Sequence, residues 1–260
     1  MMPPRSLRSL PPEGAPVPFG RPGGTEMAKT FLEIKDLHGW YGESHVLHGV
    51  NLKVDEGEVV TLLGRNGAGR TSTLRAILGL IGSRKGSIKV LGQETIGMAP
   101  HRIARLGLGY CPEERGIFSS LSAEENLMLP PRLGEGGMTV EQIYAMFPNL
   151  KERANSQGTR LSGGEQQMLA VARILRTGAR LLLLDEMSEG LAPVIVQKLA
   201  EMVGALRRQG YTIVMVEQNF RFAAPLADRF LVMEHGQVIQ EFTQAELPSR
   251  LERLHEYLGV

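Results

Sequence analysis

Aromatic residues are scarce in this sequence, at 5% of the chain, and cysteine occurs once, at Cys111. A lone cysteine excludes an internal disulfide framework and fits a reducing compartment; its place after Leu108-Gly109-Tyr110 marks it as a small buried strand residue. No run approaches the roughly 18 consecutive apolar residues that a membrane-spanning helix needs. An excess of one charge is lacking too: 29 Lys and Arg against 28 Asp and Glu leave a formal +1. With no basic run interleaved with aromatics, nucleic-acid binding gets no electrostatic support. What remains is an ordinary globular composition, 42% hydrophobic and 22% charged over 260 residues, enough for a substantial core in one or two domains.

Residues 1–26 contain seven prolines (3, 4, 11, 12, 16, 18, 22) and four glycines (14, 20, 23, 24), and are expected to be disordered. They lack the apolar core of a signal peptide, and Met27, opening Ala-Lys-Thr-Phe-Leu-Glu-Ile, reads as a fresh start. From Phe31 the order is regular. Phe31–Lys35, Glu58–Leu63 and Ser87–Leu91 read as strands. Leu74, Ile77, Leu78 and Ile81 form a stripe on one helical face. Between about residues 100 and 160 polar helical segments dominate, broken at Pro130-Pro131 and at Gly134 to Gly137, which points to an inserted helical part. Leu181–Leu184, Thr212–Val216 and Phe230–Met233 are apolar without alternation, as parallel strands buried on both faces are. Glu234-His235-Gly236-Gln237 reads as a tight turn into a last strand.

Three motifs carry chemistry. Gly64-Arg65-Asn66-Gly67-Ala68-Gly69-Arg70-Thr71, followed by Ser72, matches the phosphate-loop pattern G-x-x-x-x-G-K-S/T except that arginine stands for lysine. Its glycines let backbone N–H groups converge on phosphate oxygens at a helix N-terminus, and Thr71 would hold magnesium. The bland reading, a Gly-rich turn, is disfavoured by the strand before it and the helical stripe after it. Asp185-Glu186 closes an apolar strand: one carboxylate can hold magnesium and the next can polarise an attacking water, although such pairs also occur at plain loop entries. Leu161-Ser162-Gly163-Gly164-Glu165 opens a helix with a Ser-x-x-Glu capping box. Two glycines weaken a helix start by roughly 1 kcal/mol each, which makes sense if a phosphate must approach the backbone.

In combination these residues resemble the ATP-binding subunits of ABC transporters, over about residues 31 to 258. The resemblance implies an α/β P-loop NTPase fold of ABC type, spanning residues 27–260: a mostly parallel core sheet, an N-terminal antiparallel β part and the inserted helical subdomain. It makes Tyr41 the aromatic that stacks on adenine, with Val46 near the ribose. Gly64 to Thr71 become the phosphate loop, Ser162 to Glu165 the signature facing the partner's ATP, Asp185 the magnesium carboxylate and Glu186 the general base. Ser188-Glu189-Gly190-Leu191 matches the loop connecting two active sites. Glu113, counted with Thr71 and Asp185 as a metal candidate, stands where most members have a glutamine that senses the γ-phosphate and the membrane subunit, and Gln218 where a histidine contacts the γ-phosphate.

Pro112-Glu113, Arg115-Gly116-Ile117-Phe118, Ser188 to Pro193 and Val216 to Asn219 are similar to one subgroup, the LivF-type subunits of branched-chain amino acid importers. That subgroup implies Mg²⁺ and ATP as cofactors and a second ATP-binding subunit, in a homodimer or heterodimer. It further implies transmembrane permease subunits, docked on the segment from Glu113 through Leu133, and indirectly a periplasmic solute-binding protein. The place implied is peripheral, on the cytoplasmic face of the inner membrane. Alternative readings are a urea or short-amide importer, whose ATPases are closely similar, and a hydrolysis-impaired module that only binds ATP in a heterodimer. A soluble ABC protein acting on ribosomes or DNA would need two cassettes or a long coiled coil. Arg70 and Met187, where a proline usually follows the glutamate, depart from the pattern. Arg70 keeps the positive charge, so it is expected to tune the rate, with Arg70→Lys raising it or leaving it unchanged.

Overall fold

The computed structural model describes residues 29–134 and 136–258; the Pro- and Gly-rich segment expected to be disordered, 1–26, lies outside them. Strand β1 (Thr30–Tyr41) pairs antiparallel with β2 (Ser44–Asp55) and with β4 (Ser83–Val90), and the short β5 (Gln93–Glu94) completes a four-stranded sheet in the order β2-β1-β4-β5. A second sheet has six strands. Its parallel part comprises β3 (Val59–Leu63), β6 (Leu108–Cys111), β7 (Leu181–Asp185), β8 (Thr212–Val216) and β9 (Arg229–Glu234). β10 (Gln237–Thr243) is an antiparallel edge strand, in the order β10-β9-β3-β8-β7-β6.

Every residue of β3, β7 and β8 is buried, which is why these strands read as unbroken apolar runs. The pleat splits them between two cores. Leu182, Leu184, Ile213 and Met215 face a core built with α6 (Gly163–Arg176) and α7 (Pro193–Arg208). Leu181, Leu183, Val214 and Val216 face one built with the antiparallel sheet and with α1 (Arg70–Ile77), which supplies Leu74 and Ile77. A third cluster joins Leu63 and Phe230 to α9 (Leu247–Leu258) through Leu254 and Leu258.

The helical stripe after the Gly-rich loop is shorter than its periodicity suggests. α1 ends at Ile77, and Gly79 turns with φ 75°. Ile81 therefore lies beyond the helix, where it packs beneath Gly39. Strict alternation in β2 is confined to Val50–Val54; before that its register against β1 slips twice, which puts the buried Leu47 out of phase.

The stretch 100–160 opens with α2 (Pro100–Ala104) and the sheet strand β6, and turns helical only beyond Cys111, a buried strand-end residue whose thiol burial pushes up to about 12. There α3 (Ala123–Met128), α4 (Val140–Met146) and α5 (Pro148–Glu152) pack on α6. Ser122, Thr139 and Ser162 each close a capping box at the head of α3, α4 and α6. The loop leading into α3 is pinned by the buried Asn126, which accepts from Phe118 N and donates to the carbonyls of Phe118, Leu121 and Ser122. The short helix α8 (Phe220–Ala223) follows β8. Among the described residues no helix is long and apolar enough to cross a membrane.

Candidate functional site

Parallel strands deliver their C-terminal ends to one edge of a sheet. Here Leu62 of β3, Val216 of β8 and Asp185 of β7 lie at one level across the register. The Gly-rich loop leaving β3 and the carboxylates closing β7 therefore emerge side by side. In the loop, Gly64 and Gly69 have φ of 154° and 100°. A Cβ would fall 2.5 Å from the Met233 carbonyl at the first and 3.0 Å from Gly236 Cα at the second, so neither tolerates a side chain. Helix α1 then opens with no side-chain cap and no acidic residue in its first turn. Its leading N–H groups are left to an outside acceptor, and its positive end favours an anion.

A cavity of about 410 Å³ lies over this helix start, lined by residues 66–72 with Val46, Glu113 and Glu186. Thr71 Oγ1 donates to Asp185 Oδ1 at 2.9 Å, and the Tyr110 hydroxyl donates to Asp185 Oδ2 at 3.1 Å. Burial is the main cause that raises Asp185 above the usual carboxylate range, and the bonds from Thr71 and Tyr110 oppose it. Burial, and then the Asp185 charge, push the Tyr110 phenol well up. Thr71 and Asp185 form an oxygen pair suited to a hard cation that keeps other ligands from water and phosphate.

Glu186 stands next to Asp185 with φ 46°, a left-handed backbone that glutamate rarely adopts. Its carboxylate accepts from Arg70 Nη2 at 2.8 Å, and the same nitrogen donates to Asn66 Oδ1 at 3.1 Å. Burial raises Glu186 first; Arg70 pulls it down, while Glu113, Asp185 and Glu189 add to the rise. The other terminal nitrogen of Arg70, Nη1, is buried and has no hydrogen-bond partner. An orphaned buried donor beside an uncapped helix start is what a phosphate oxygen would satisfy.

Not every residue singled out in the sequence joins this cavity. Arg65 lines an adjoining cavity of about 390 Å³, which shares residues 66–68 with this one and adds Met233, Glu234, His235 and Tyr257. Tyr41, at the end of β1, is 39% exposed and stands against Arg75 of α1, whose guanidinium its hydroxyl, first among several causes, shifts upward. Gln218 is exposed just past β8. Ser162, Gly163, Gly164 and Glu165 are also remote from the cavity: Ser162 Oγ accepts from Glu165 N and Glu165 Oε2 from Ser162 N. Gly164 has a reason within the chain, since a Cβ there would sit 2.6 Å from Ile195 of α7. Smallness at Gly164 is thus accounted for within the chain, whereas a Cβ at Gly163 would meet the Arg115 guanidinium at 3.3 Å.

Sequence reasoning missed two contacts. One is the Arg70–Glu186 pair. The other is Glu217, which is buried and accepts from both the amide (3.2 Å) and the hydroxyl (2.9 Å) of Ser188. It ties the end of β8 to the loop that follows Glu186. Its position directly before Gln218, at the exit of an apolar strand, was the available signal.

The ABC transporter family profile matches residues 47–189. This chain belongs to that family. It is 40% identical over 231 residues to the high-affinity branched-chain amino acid transport ATP-binding protein BraG of Pseudomonas aeruginosa, covering 88% of this chain and 99% of that one. The lipopolysaccharide export ATP-binding protein LptB of Escherichia coli K12 is 32% identical over 235 residues, with 88% and 97% covered. Among solved structures, an ATP-binding subunit of an ABC transporter superposes with TM-score 0.74 at 28% identity, over 89% of this chain and all of that one. A nucleotide-free ATP-binding cassette gives 0.76 at 20% identity, covering 89% and 99%, a likeness of fold. The fold is thus the ABC cassette, and the chain is a nucleotide-binding, ATP-hydrolysing subunit of a transporter.

Glu217 gives the protein a distinctive pH dependence. Burial raises its pKa from the ordinary 4.5 to about 7. The folded state therefore binds a proton that the unfolded state has lost, and stability falls as pH rises from about 4.5 to about 7, then levels off. The full penalty is about 3 kcal/mol at order of magnitude. Glu217→Gln keeps an acceptor for Ser188 and removes the ionisation. Urea unfolding at pH 5 and pH 8 is expected to show the variant gaining on the parent chain at the higher pH, and an equal gap at both contradicts the assignment.

Proposed function

We propose that the cavity over α1 binds Mg-ATP and hydrolyses it with Glu186 as general base. The observation that carries this is the convergence of an uncapped helix start, the unpartnered Arg70 Nη1, the Thr71–Asp185 oxygen pair and Glu186 in one cavity. The N–H groups of residues 67–72 cradle the phosphates, with Ser72 beyond Thr71 on the same helix start. Asn66 and Ala68 shape the loop, and Arg65 supports it from the far side. Thr71 and Asp185, with Glu113 lining the cavity, would hold magnesium, which would supply charge neutralisation on the phosphates. Glu186 takes the proton of the attacking water, and Gln218 closes on the γ-phosphate from the β8 side. Val46 lies toward the ribose and Tyr41 is the platform for adenine.

Ser162 to Glu165 stand away from this cavity, which supports a role on the nucleotide of a second ATP-binding subunit, in a homodimer or a heterodimer. Each closed site then needs residues from both subunits, so nucleotide state sets their separation. The exposed Phe118, Met128 and Leu129 offer an apolar surface within Glu113 to Leu133 for a short cytoplasmic helix of the permease. The protein would then sit peripherally on the cytoplasmic face of the membrane, with a periplasmic solute-binding protein acting upstream. The 40% identity to BraG supports branched-chain or related amino acids as the cargo; the likeness to LptB is weaker.

Glu186→Gln is expected to slow ATP hydrolysis by about 10² to 10⁴ while ATP stays bound. Analytical ultracentrifugation with ATP and magnesium reads the trapped, closed dimer, with the partner ATPase added if the pair is heterodimeric. A variant that hydrolyses at the parent rate contradicts Glu186 as the base.

The cargo is tested by deleting the gene and following radiolabelled leucine, urea and short amides. Loss of leucine uptake is expected. Unchanged leucine uptake with loss of urea or amide uptake would move the transporter to the neighbouring class and leave the ATPase chemistry intact.

A further inference from the structure

An arginine at the phosphate-loop lysine position keeps the charge, and from sequence it reads as a tolerated variation. The contacts it makes say otherwise. Nη2 carries two bonds, to Glu186 Oε1 at 2.8 Å and to Asn66 Oδ1 at 3.1 Å. Nη1, equally enclosed, carries none. The side chain is 4% exposed and Glu186 13%, so water does not substitute freely for either contact. The guanidinium is planar and presents its donors at fixed angles, so holding Nη2 on Glu186 and Asn66 also fixes where Nη1 points. An ammonium donates from one nitrogen only, so a lysine that held Glu186 and Asn66 would have no second, separately placed nitrogen for a further acceptor.

We propose that Arg70 bridges the nucleotide phosphates and Glu186 with different nitrogens of one guanidinium, and so acts as the positioning residue for the general base. The proposal rests on the reading of the cavity as an ATP site. Glu186 needs such a restraint. Its backbone is left-handed at φ 46°, held by a bond from its own amide to Val216 O at 2.9 Å, and its carboxylate stands among the acids Asp185, Glu113 and Glu189. The charges of Glu113, Asp185 and Glu189 disfavour the ionised carboxylate, and the Arg70 arm is the cation that retains it. Asn66, inside the Gly-rich loop, fixes the rotation of the fork from the other side. A phosphate arriving on Nη1 therefore meets a base already aligned.

The test compares the parent chain with Arg70→Lys, Glu186→Gln and the double variant. Steady-state kinetics of Arg70→Lys are expected to show kcat lowered by about tenfold or more, as misalignment of a reacting group does, with KM for ATP and calorimetric affinity for a non-hydrolysable ATP analogue within about threefold of the parent, because the charge is kept. In nucleotide-free protein the thermal midpoints of the four chains are expected to be non-additive, since the two residues share one contact. Turnover in Arg70→Lys equal to or above the parent overturns the proposal. So does a parallel loss of turnover and analogue affinity, which makes Arg70 a plain phosphate ligand, and so do additive midpoints. A parent chain that neither binds the analogue nor hydrolyses ATP overturns the ATPase reading as well, whereas an active parent with a fully active Arg70→Lys overturns the bridge alone.

Discussion

The parallel register of β3, β8 and β7 is the constraint on which the rest depends. Because Leu62, Val216 and Asp185 share one level, the three strands release their chains at the same edge. The Gly-rich loop, Glu217 and the Asp185-Glu186 pair become neighbours without any one segment having to reach for another. The same register divides the strand side chains into two cores, so the edge is braced from both faces. A site that must hold phosphate oxygens and a base within fractions of an ångström gains from such support, since the strands cannot shift without opening both cores.

Electrostatic balance is the second constraint. Burial is the largest cause that raises both Asp185 and Glu186, the Glu113 charge adds to the rise on each, and the Asp185 charge adds to it on Glu186. Arg70 offsets part of this on Glu186, and Thr71 and Tyr110 hold Asp185 by hydrogen bonds. Acids gathered at a strand edge suit a divalent cation, while the helix start and the free arm of Arg70 suit an anion. Mg-ATP supplies both charges in one ligand. Glu217 is raised to about 7 by burial and accepts from the amide and hydroxyl of Ser188 in the loop beyond Glu186.

Much of the fold was legible because its strands and its first helix are local patterns. Leu181–Leu184 and Thr212–Val216 are uninterrupted because both faces are buried, and the Gly-rich loop lies between a strand and a helix as such loops do. The strand Ser44–Asp55 was not, because its bulges break the period-2 signal. At the site, residue types at fixed spacing pointed to phosphate and metal chemistry. Contacts between distant residues left no such trace. Arg70 and Glu186 are 116 residues apart, and nothing in the spacing of either tells that one nitrogen of Arg70 is occupied and the other free. Gly164 shows the opposite case: its smallness looked like room for a ligand, and the space is taken by Ile195.

The most direct test of this account is a crystal structure of the chain with magnesium and a non-hydrolysable ATP analogue. The account predicts the terminal phosphates over the start of α1 within hydrogen-bond reach of Arg70 Nη1, magnesium on Thr71 Oγ1 with Asp185 beside it, and Glu186 still on Arg70 Nη2. A nucleotide bound elsewhere, or bound over α1 with Arg70 swung away from both phosphate and Glu186, would contradict it.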